Sequence, residues 1–185
     1  NSDKNFILGI DVGTSGCKVL LADRAGAVRA SAVETYPLAQ PRPGWTEQEP
    51  RSWWEACCAA CRRVLDTGVC GGADIAAVGL TGQMHSLVAL DEAIEPIRPA
   101  ILWNDQRTTE QCREIQELAG GLDGLLGYTN NMMLTGYTGG KLLWLREHEP
   151  ENFRRLQAVL MPKDYLRYRL TGVLMTDVSD ASGTR

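Results

Sequence analysis

The sequence predicts an α/β domain built on a mixed sheet, with a three-stranded antiparallel meander at its start and helices on both faces. Three observations predict it. Turn signals split the first 35 residues into three short strand-like runs, the pattern of consecutive hairpins. An apolar stripe at i, i+3, i+4 spacing follows at 51–66. Beyond it, short apolar runs alternate with helical patterns. Such alternation after a meander implies a sheet of mixed direction.

Residues 6–11, Phe-Ile-Leu-Gly-Ile-Asp, end in a carboxylate ahead of Gly13 and read as a buried strand entering a turn. Residues 17–22 are a second strand. Asp23-Arg24-Ala25-Gly26 supplies turn chemistry, and 27–35 is a third strand. Residues 37–50, with Pro37, Pro41, Pro43, Gly44 and Pro50, form a long loop. The helix at 51–66 carries its stripe on Trp54, Cys57, Cys58, Cys61, Val64 and Leu65. Its start has two signals between which the sequence does not choose. Pro50 suits a first helical position, and Ser52-x-x-Glu55 is a capping-box pattern. Residues 75–80 are wholly apolar, hence a strand buried on both faces. Short strands follow at 86–90 and 100–103. Residues 108–118 are polar with a stripe at Cys112, Ile115 and Leu118, hence a surface helix. The glycine-rich stretch 120–140 reads as mostly loop. A short helix covers 142–148 and stops before Pro150. Residues 158–161 are a strand, and Pro162 starts a last helix that Gly172 ends. Residues 173–185 carry no assignment.

At 185 residues the chain has the size of one domain or slightly more. It is 44% apolar and 23% charged, an ordinary globular balance. The net charge of −4 leaves no basic footprint for a nucleic acid or an anionic membrane. No apolar run approaches the ~20 residues of a membrane span. The polar stretch Asn1–Asn5 shows no secretory signal. Cys57, Cys58 and Cys61 lie within one helical pattern, while Cys17, Cys70 and Cys112 are scattered. All six read as reduced thiols of a cytoplasmic protein. Cys58-x-x-Cys61 resembles half a zinc site, but no second pair exists, and small core-facing residues are the plainer reading.

Three constellations carry chemistry. The first is Asp11-Val12-Gly13-Thr14-Ser15-Gly16-Cys17-Lys18. A tight glycine turn presents several backbone N–H groups at one point, which suits a phosphate oxygen. Thr14 and Ser15 add hydroxyls, Lys18 adds a charge, and Asp11 could hold magnesium. A plain hairpin with a glycine-rich turn explains the same residues. This is not a dinucleotide-binding loop, because its glycines open a strand where that loop opens a helix. The second is Gly82-Gln83-Met84-His85-Ser86, past the carboxyl end of the apolar strand, where open α/β sheets place ligands. His85 offers two nitrogens to a polyol, or is a structural histidine. The third is Trp103-Asn104-Asp105-Gln106-Arg107. Its polar groups can bind several sugar hydroxyls while Trp103 covers C–H groups. Asp105 as a helix N-cap, with Thr108 and Thr109 in the first turn, is the alternative, and both can hold at once.

Together these residues resemble the FGGY family of carbohydrate kinases. So do the run Gly136-Tyr137-Thr138-Gly139-Gly140-Lys141-Leu142-Leu143-Trp144-Leu145-Arg146-Glu147-His148 and the stretch Leu160-Met161-Pro162-Lys163-Asp164-Tyr165-Leu166. Gln83-Met84-His85, Trp103-Asn104-Asp105, Pro162-Lys163-Asp164-Tyr165 and Ser179-Asp180-Ala181 are similar to the branch acting on D-xylulose. Members acting on glycerol carry Arg-Glu where this chain has Met84-His85. The resemblance implies the ribonuclease-H-like, actin-like ATPase fold. It implies transfer of the γ-phosphoryl group of ATP to the 5-hydroxyl of D-xylulose with Mg²⁺. Asp11 would hold the metal, while Thr14, Ser15 and Lys18 face the phosphate. Met84, His85, Trp103, Asp105 and Asn131 would line the ketose site, with 131–140 as one wall. A homodimer of the intact protein is compatible with it.

The departure from the family is one of length. Its members are more than twice as long, with a second, nucleotide-binding domain. Their general base is an aspartate in a Gly-Gly-Gly-Asp-Asn-like segment that this chain lacks. The expectation is therefore that 1–185 are an N-terminal sugar-binding domain, incomplete and inactive alone, with the base beyond Arg185. Three other readings remain in view. One is a kinase for another pentulose or polyol, such as ribulose or L-xylulose, and one is a stand-alone sugar-binding module. The third, a nuclease on the same scaffold, needs several carboxylates around two metals. Asp11 has no obvious partners for that.

Overall fold

The computed structural model describes residues 5–184. Residues 1–4 and 185 lie outside it, and with them most of the polar stretch Asn1–Asn5. β1 (Phe6–Val12), β2 (Gly16–Asp23) and β3 (Val28–Thr35) form the expected meander. A two-residue strand, β4 (Glu47–Gln48), precedes α1 (Pro50–Leu65), and β5 (Ile75–Gly82) then returns beside β1. There follow β6 (Val88–Leu90), β7 (Ala100–Ile101), α2 (Thr109–Leu118), α3 (Gly121–Thr129), α4 (Thr138–His148), α5 (Pro150–Arg154), β8 (Ala158–Leu160), α6 (Pro162–Thr171) and α7 (Val178–Ala181). The main sheet runs β3-β2-β1-β5. Its β1–β5 pairing is parallel and the others antiparallel, so the sheet is mixed. β4 pairs with β7, and β6 with β8, in two short antiparallel ladders.

Alternation along the strands decides which face is buried. Leu8, Ile10 and Val12 of β1 and Cys17, Val19 and Leu21 of β2 point to one face. There they meet Trp53, Ala56, Cys57, Ala60 and Val64 of α1 and Tyr165 and Leu166 of α6. All six cysteines are free thiols. A hydrogen bond with Cys17, reinforced by burial, pushes the Cys57 thiol up to about 12, so it stays protonated.

Four expectations are corrected. Helices lie on one face of the main sheet among the described residues, not both: α1 and α6 pack together on the same side. The apolar strand 75–80 is not buried, because β5 is an edge strand and most of it is exposed. Residue type showed its affinity for a core without showing what covers it. The buried face of α1 is rotated: Trp53, Ala56 and Ala60 are buried where Trp54, Cys58 and Leu65 flank. Alanines gave too little signal to fix the face. Within 120–140, α3 replaces loop despite Gly124 and Gly127, and buries Leu125. Of the two start signals, Pro50 is the one used; Ser52 Oγ donates to the Glu49 carbonyl instead of closing a capping box.

The open face exposes Ile7 (45%), beside the unpaired edge of β5, and Val33 (50%), on β3 at the sheet's other edge. Exposed apolar surface beside a free strand edge favours association. The 185-residue chain is therefore expected to self-associate with rising concentration. Light scattering across a dilution series checks this, and a strict monomer throughout contradicts it.

Candidate active site

The turn between β1 and β2 lies at the carboxyl end of β1, tied by Gly13 N–H to the Gly16 carbonyl at 3.0 Å. Register sets Asp11 opposite Lys18 on β2 and beside Thr81 on β5, all on the open face. The same register pairs Gly9 with Gly79. Two adjacent residues without side chains leave a hollow of about 440 Å³, lined by Gly9, Asp11, Lys18, Leu20, Gly79 and Thr81. Asp11, Ser15 and Lys18 are exposed and Thr14 is half-buried.

Buried amides hold this turn from below. Gln48 Nε2 donates to the Thr14 carbonyl at 2.7 Å. Gln83 Nε2 reaches the Gly13 carbonyl at 3.4 Å and Gln48 Oε1 at 3.2 Å. Trp53 Nε1 donates to Gln48 Oε1 at 3.0 Å, and the Tyr36 hydroxyl donates to the Gly13 carbonyl. Gln48 and Gln83 are buried, so each unmade bond would cost about 1–3 kcal/mol of desolvation. Their network fixes the turn. β5 can end against it only because residue 82 is glycine: a Cβ there would lie 2.4 Å from Val12 Cγ1. Sequence reading passed over Gln48 and Tyr36, since an amide in a proline-rich loop and a tyrosine at a strand end show no period.

Three loops stand beside the turn. Met84 is exposed. His85 takes a left-handed backbone (φ 57°) and sets its ring edge-on to Tyr137, 4.8 Å between centroids. Asn131 Nδ2 donates to the Tyr137 hydroxyl at 3.1 Å. Trp103 is 40% exposed, and its Nε1 donates to Thr14 Oγ1 at 3.0 Å. Thr14 Oγ1 in turn meets Gln83 Oε1 at 3.4 Å. Phosphate-turn and sugar-loop candidates thus form one rim, running from Lys18 and Asp11 through Thr14 and Trp103 to Met84 and His85.

Asp105 stands apart from that rim. Its carboxylate is fully buried. Oδ2 accepts from Thr46 N–H (2.7 Å) and Arg107 Nη2 (2.8 Å), and Oδ1 from the Arg107 backbone N–H and Nε (both 2.9 Å). Four bonds fill the four acceptor sites of a carboxylate, leaving none for a sugar hydroxyl. Nor does Asp105 cap α2, whose N-cap is Thr108. The expectation of direct sugar contact is corrected: Asp105 anchors the loop that carries Trp103. Arg107 continues inward to Glu47 (2.8 Å) and lies over the rings of Trp45 (3.9 Å) and Trp144 (4.8 Å).

Behind His85, Lys141 is fully buried, with Nζ 2.8 Å from the His85 carbonyl and 2.5 Å from that of Gly136. Burial lowers its ammonium to about 7, against the attraction of Asp105. On the other side, Lys163 binds Asp164 (2.7 Å), Asp177 (2.7 Å) and Asp180 (3.1 Å). These partners raise the lysine further above its usual range, and the Lys163 bond holds Asp177 down to about 2. The latch ties α7 to α6 and brings Gly183 against the His85 ring, where a Cβ would lie 2.1 Å from Nδ1. Among the described residues, no helix is long and apolar enough to cross a membrane.

Residues 6–185 match the N-terminal domain of the FGGY family of carbohydrate kinases. The chain is 44% identical over 179 residues to xylulose kinase of Bacillus subtilis (strain 168), covering 97% of this chain and 36% of that protein. It is 43% identical over 177 residues to xylulose kinase of Escherichia coli (strain K12), covering 96% and 36%. A crystal structure of a "xyloylose kinase" from Brucella ovis superposes with a TM-score of 0.91 at 38% identity, covering 97% of this chain and 37% of that one. The chain thus spans little more than a third of the length of the relatives it matches.

Proposed function

The chain belongs to the FGGY family of carbohydrate kinases, and from that membership we propose that the intact protein phosphorylates D-xylulose with MgATP to give D-xylulose 5-phosphate. The names of its relatives and their 43–44% identity support the substrate. The observation that carries the reading is the hydrogen bond from Trp103 to Thr14, which joins the two groups of candidate residues in one rim. A sugar lying on Trp103 and within reach of Met84, His85 and Asn131 would point a hydroxyl at the turn carrying Thr14, Ser15 and Lys18.

In the transfer, the 5-hydroxyl oxygen bonds to the γ-phosphorus as the bond to the β-phosphate oxygen breaks. The hydroxyl proton passes to a base, which we assign to a second, nucleotide-binding domain outside these residues. Phosphoryl transfer rests on positioning and electrostatics. Lys18 supplies positive charge and Ser15 a hydroxyl donor, while the Thr14 hydroxyl, donating to Gln83 Oε1 and accepting from Trp103 Nε1, holds the turn against the sugar side. Magnesium keeps several waters and binds through one or two carboxylates plus phosphate oxygens. The single exposed carboxylate of Asp11 fits that demand. Among the described residues no three His, Cys, Asp or Glu side chains gather into a metal cage. Magnesium, when bound, would neutralise charge on the phosphates. The 185-residue chain alone is expected to transfer no phosphate. Its six free thiols suit the reducing cytoplasm, where we place it.

The test is a panel of D-xylulose, L-xylulose, D-ribulose and glycerol with the intact protein and MgATP. The reading expects D-xylulose to have the highest kcat/KM. A higher value for another sugar replaces the substrate, and no transfer to any of them defeats the reading.

A further inference from the structure

We propose that Lys141 is a positioning residue for the ketose site, its buried ammonium fixing the His85 carbonyl against that of Gly136 and so setting where the Met84 and His85 side chains stand. The inference rests on the sugar-site reading above and deepens it. Lys141 is fully buried, so it presents nothing to a ligand itself. Its Nζ lies 2.8 Å from the His85 carbonyl and 2.5 Å from that of Gly136. Thr138 Oγ1 donates to the same His85 oxygen at 3.0 Å. That oxygen belongs to a non-glycine residue with φ 57°, a conformation that persists only where its surroundings over-determine it. Two donors on one carbonyl are such a determination. They also explain the side-chain placement. With the carbonyl turned in toward α4, the ring stands edge-on to Tyr137, which itself takes a bond from Asn131.

A charge is a costly way to fill a core. Replacing a buried ion by an apolar residue of similar volume is often neutral or stabilising. Burial works against the Lys141 charge strongly enough to bring it to about 7, and Arg107 adds to that pressure while Asp105 and Cys112 oppose it. What a lysine offers that a methionine does not is the ability to hold two carbonyls from two different loops at one point. Those loops carry Met84 and His85 on one side and Asn131 and Tyr137 on the other.

The test compares Lys141→Met, Thr138→Val and His85→Ala in the intact protein, measuring KM for D-xylulose, KM for ATP and kcat. For Lys141→Met the sugar KM is expected to rise about tenfold or more, the equivalent of ~1.4 kcal/mol, while the ATP KM stays within about twofold. A purely structural lysine would cut the active fraction, and so the apparent kcat, with both KM values unchanged; that result overturns the proposal. If Lys141→Met does not fold, Thr138→Val decides, since it removes the other donor to the same oxygen. A threefold or greater rise in sugar KM alone supports the proposal, and an unchanged sugar KM overturns it. His85→Ala separates the two levels. If it leaves the sugar KM unchanged, the sugar-site reading itself has failed. If it raises the sugar KM while Lys141→Met does not, only the positioning role has failed.

Discussion

Replacing Asp11 by alanine in the intact protein is expected to lower turnover roughly 10²–10³-fold or more, the scale of losing a charge-stabilising element of the transition state. Sugar affinity is expected to survive. Asp11 is exposed on the open face. Such substitutions usually change stability by no more than about 0.5 kcal/mol. The carboxylate projects into the hollow it shares with Lys18 and Thr81, while the sugar candidates stand beyond Thr14. Loss of the carboxylate thus acts on the phosphate and leaves Met84, His85 and Trp103 in place. Steady-state kinetics paired with calorimetric titration of D-xylulose separates the two effects. Near-normal turnover would remove Asp11 from the mechanism.

Asp105→Ala is expected to act first on folding. Removing one partner of a buried ion pair leaves the other uncompensated, at a cost of about 3–5 kcal/mol. Here the stranded partner is Arg107, whose side chain is fully buried, and the Thr46 N–H loses its acceptor as well. Against a typical stability of about 5–15 kcal/mol, such a loss removes a large share. Glu47 still faces Arg107 and softens the loss without replacing the four bonds. Urea unfolding of the chain measures it. A wild-type midpoint combined with weakened D-xylulose binding by the intact protein would return Asp105 to the sugar.

The meander was legible because a turn announces itself locally. Asp23-Arg24-Ala25-Gly26 supplies a side-chain acceptor and a glycine at φ 84°, and the strands on either side follow. Gly172 ends α6 for a similar reason, with φ 72°. What escaped the sequence depends on partners distant in the chain. Residues 75–80 look like a central strand because apolar type does not reveal whether a neighbour lies beside it. Gln48 and Gln83 look like loop polarity until they meet across 35 residues. The chemistry of Asp105 suits a sugar as well as it suits Arg107, and only the fold brings Thr46 to it. Strand-end position singles out 82–86 and 103–107 separately, and the family resemblance is what groups Met84, His85 and Trp103. The bond to Thr14 that links Trp103 with the turn had no trace in spacing, since it spans 89 residues.

The most direct test of the central claim, that the sugar and the transferring phosphate meet on one rim, is a structure of the intact protein with D-xylulose and a non-hydrolysable ATP analogue with magnesium. The account predicts the sugar against Trp103, Met84 and His85, its 5-hydroxyl directed at the γ-phosphate, and Asp11 on the metal side of that phosphate. Sugar bound away from these three residues, or a γ-phosphate remote from the turn of Asp11, Thr14 and Lys18, would contradict it.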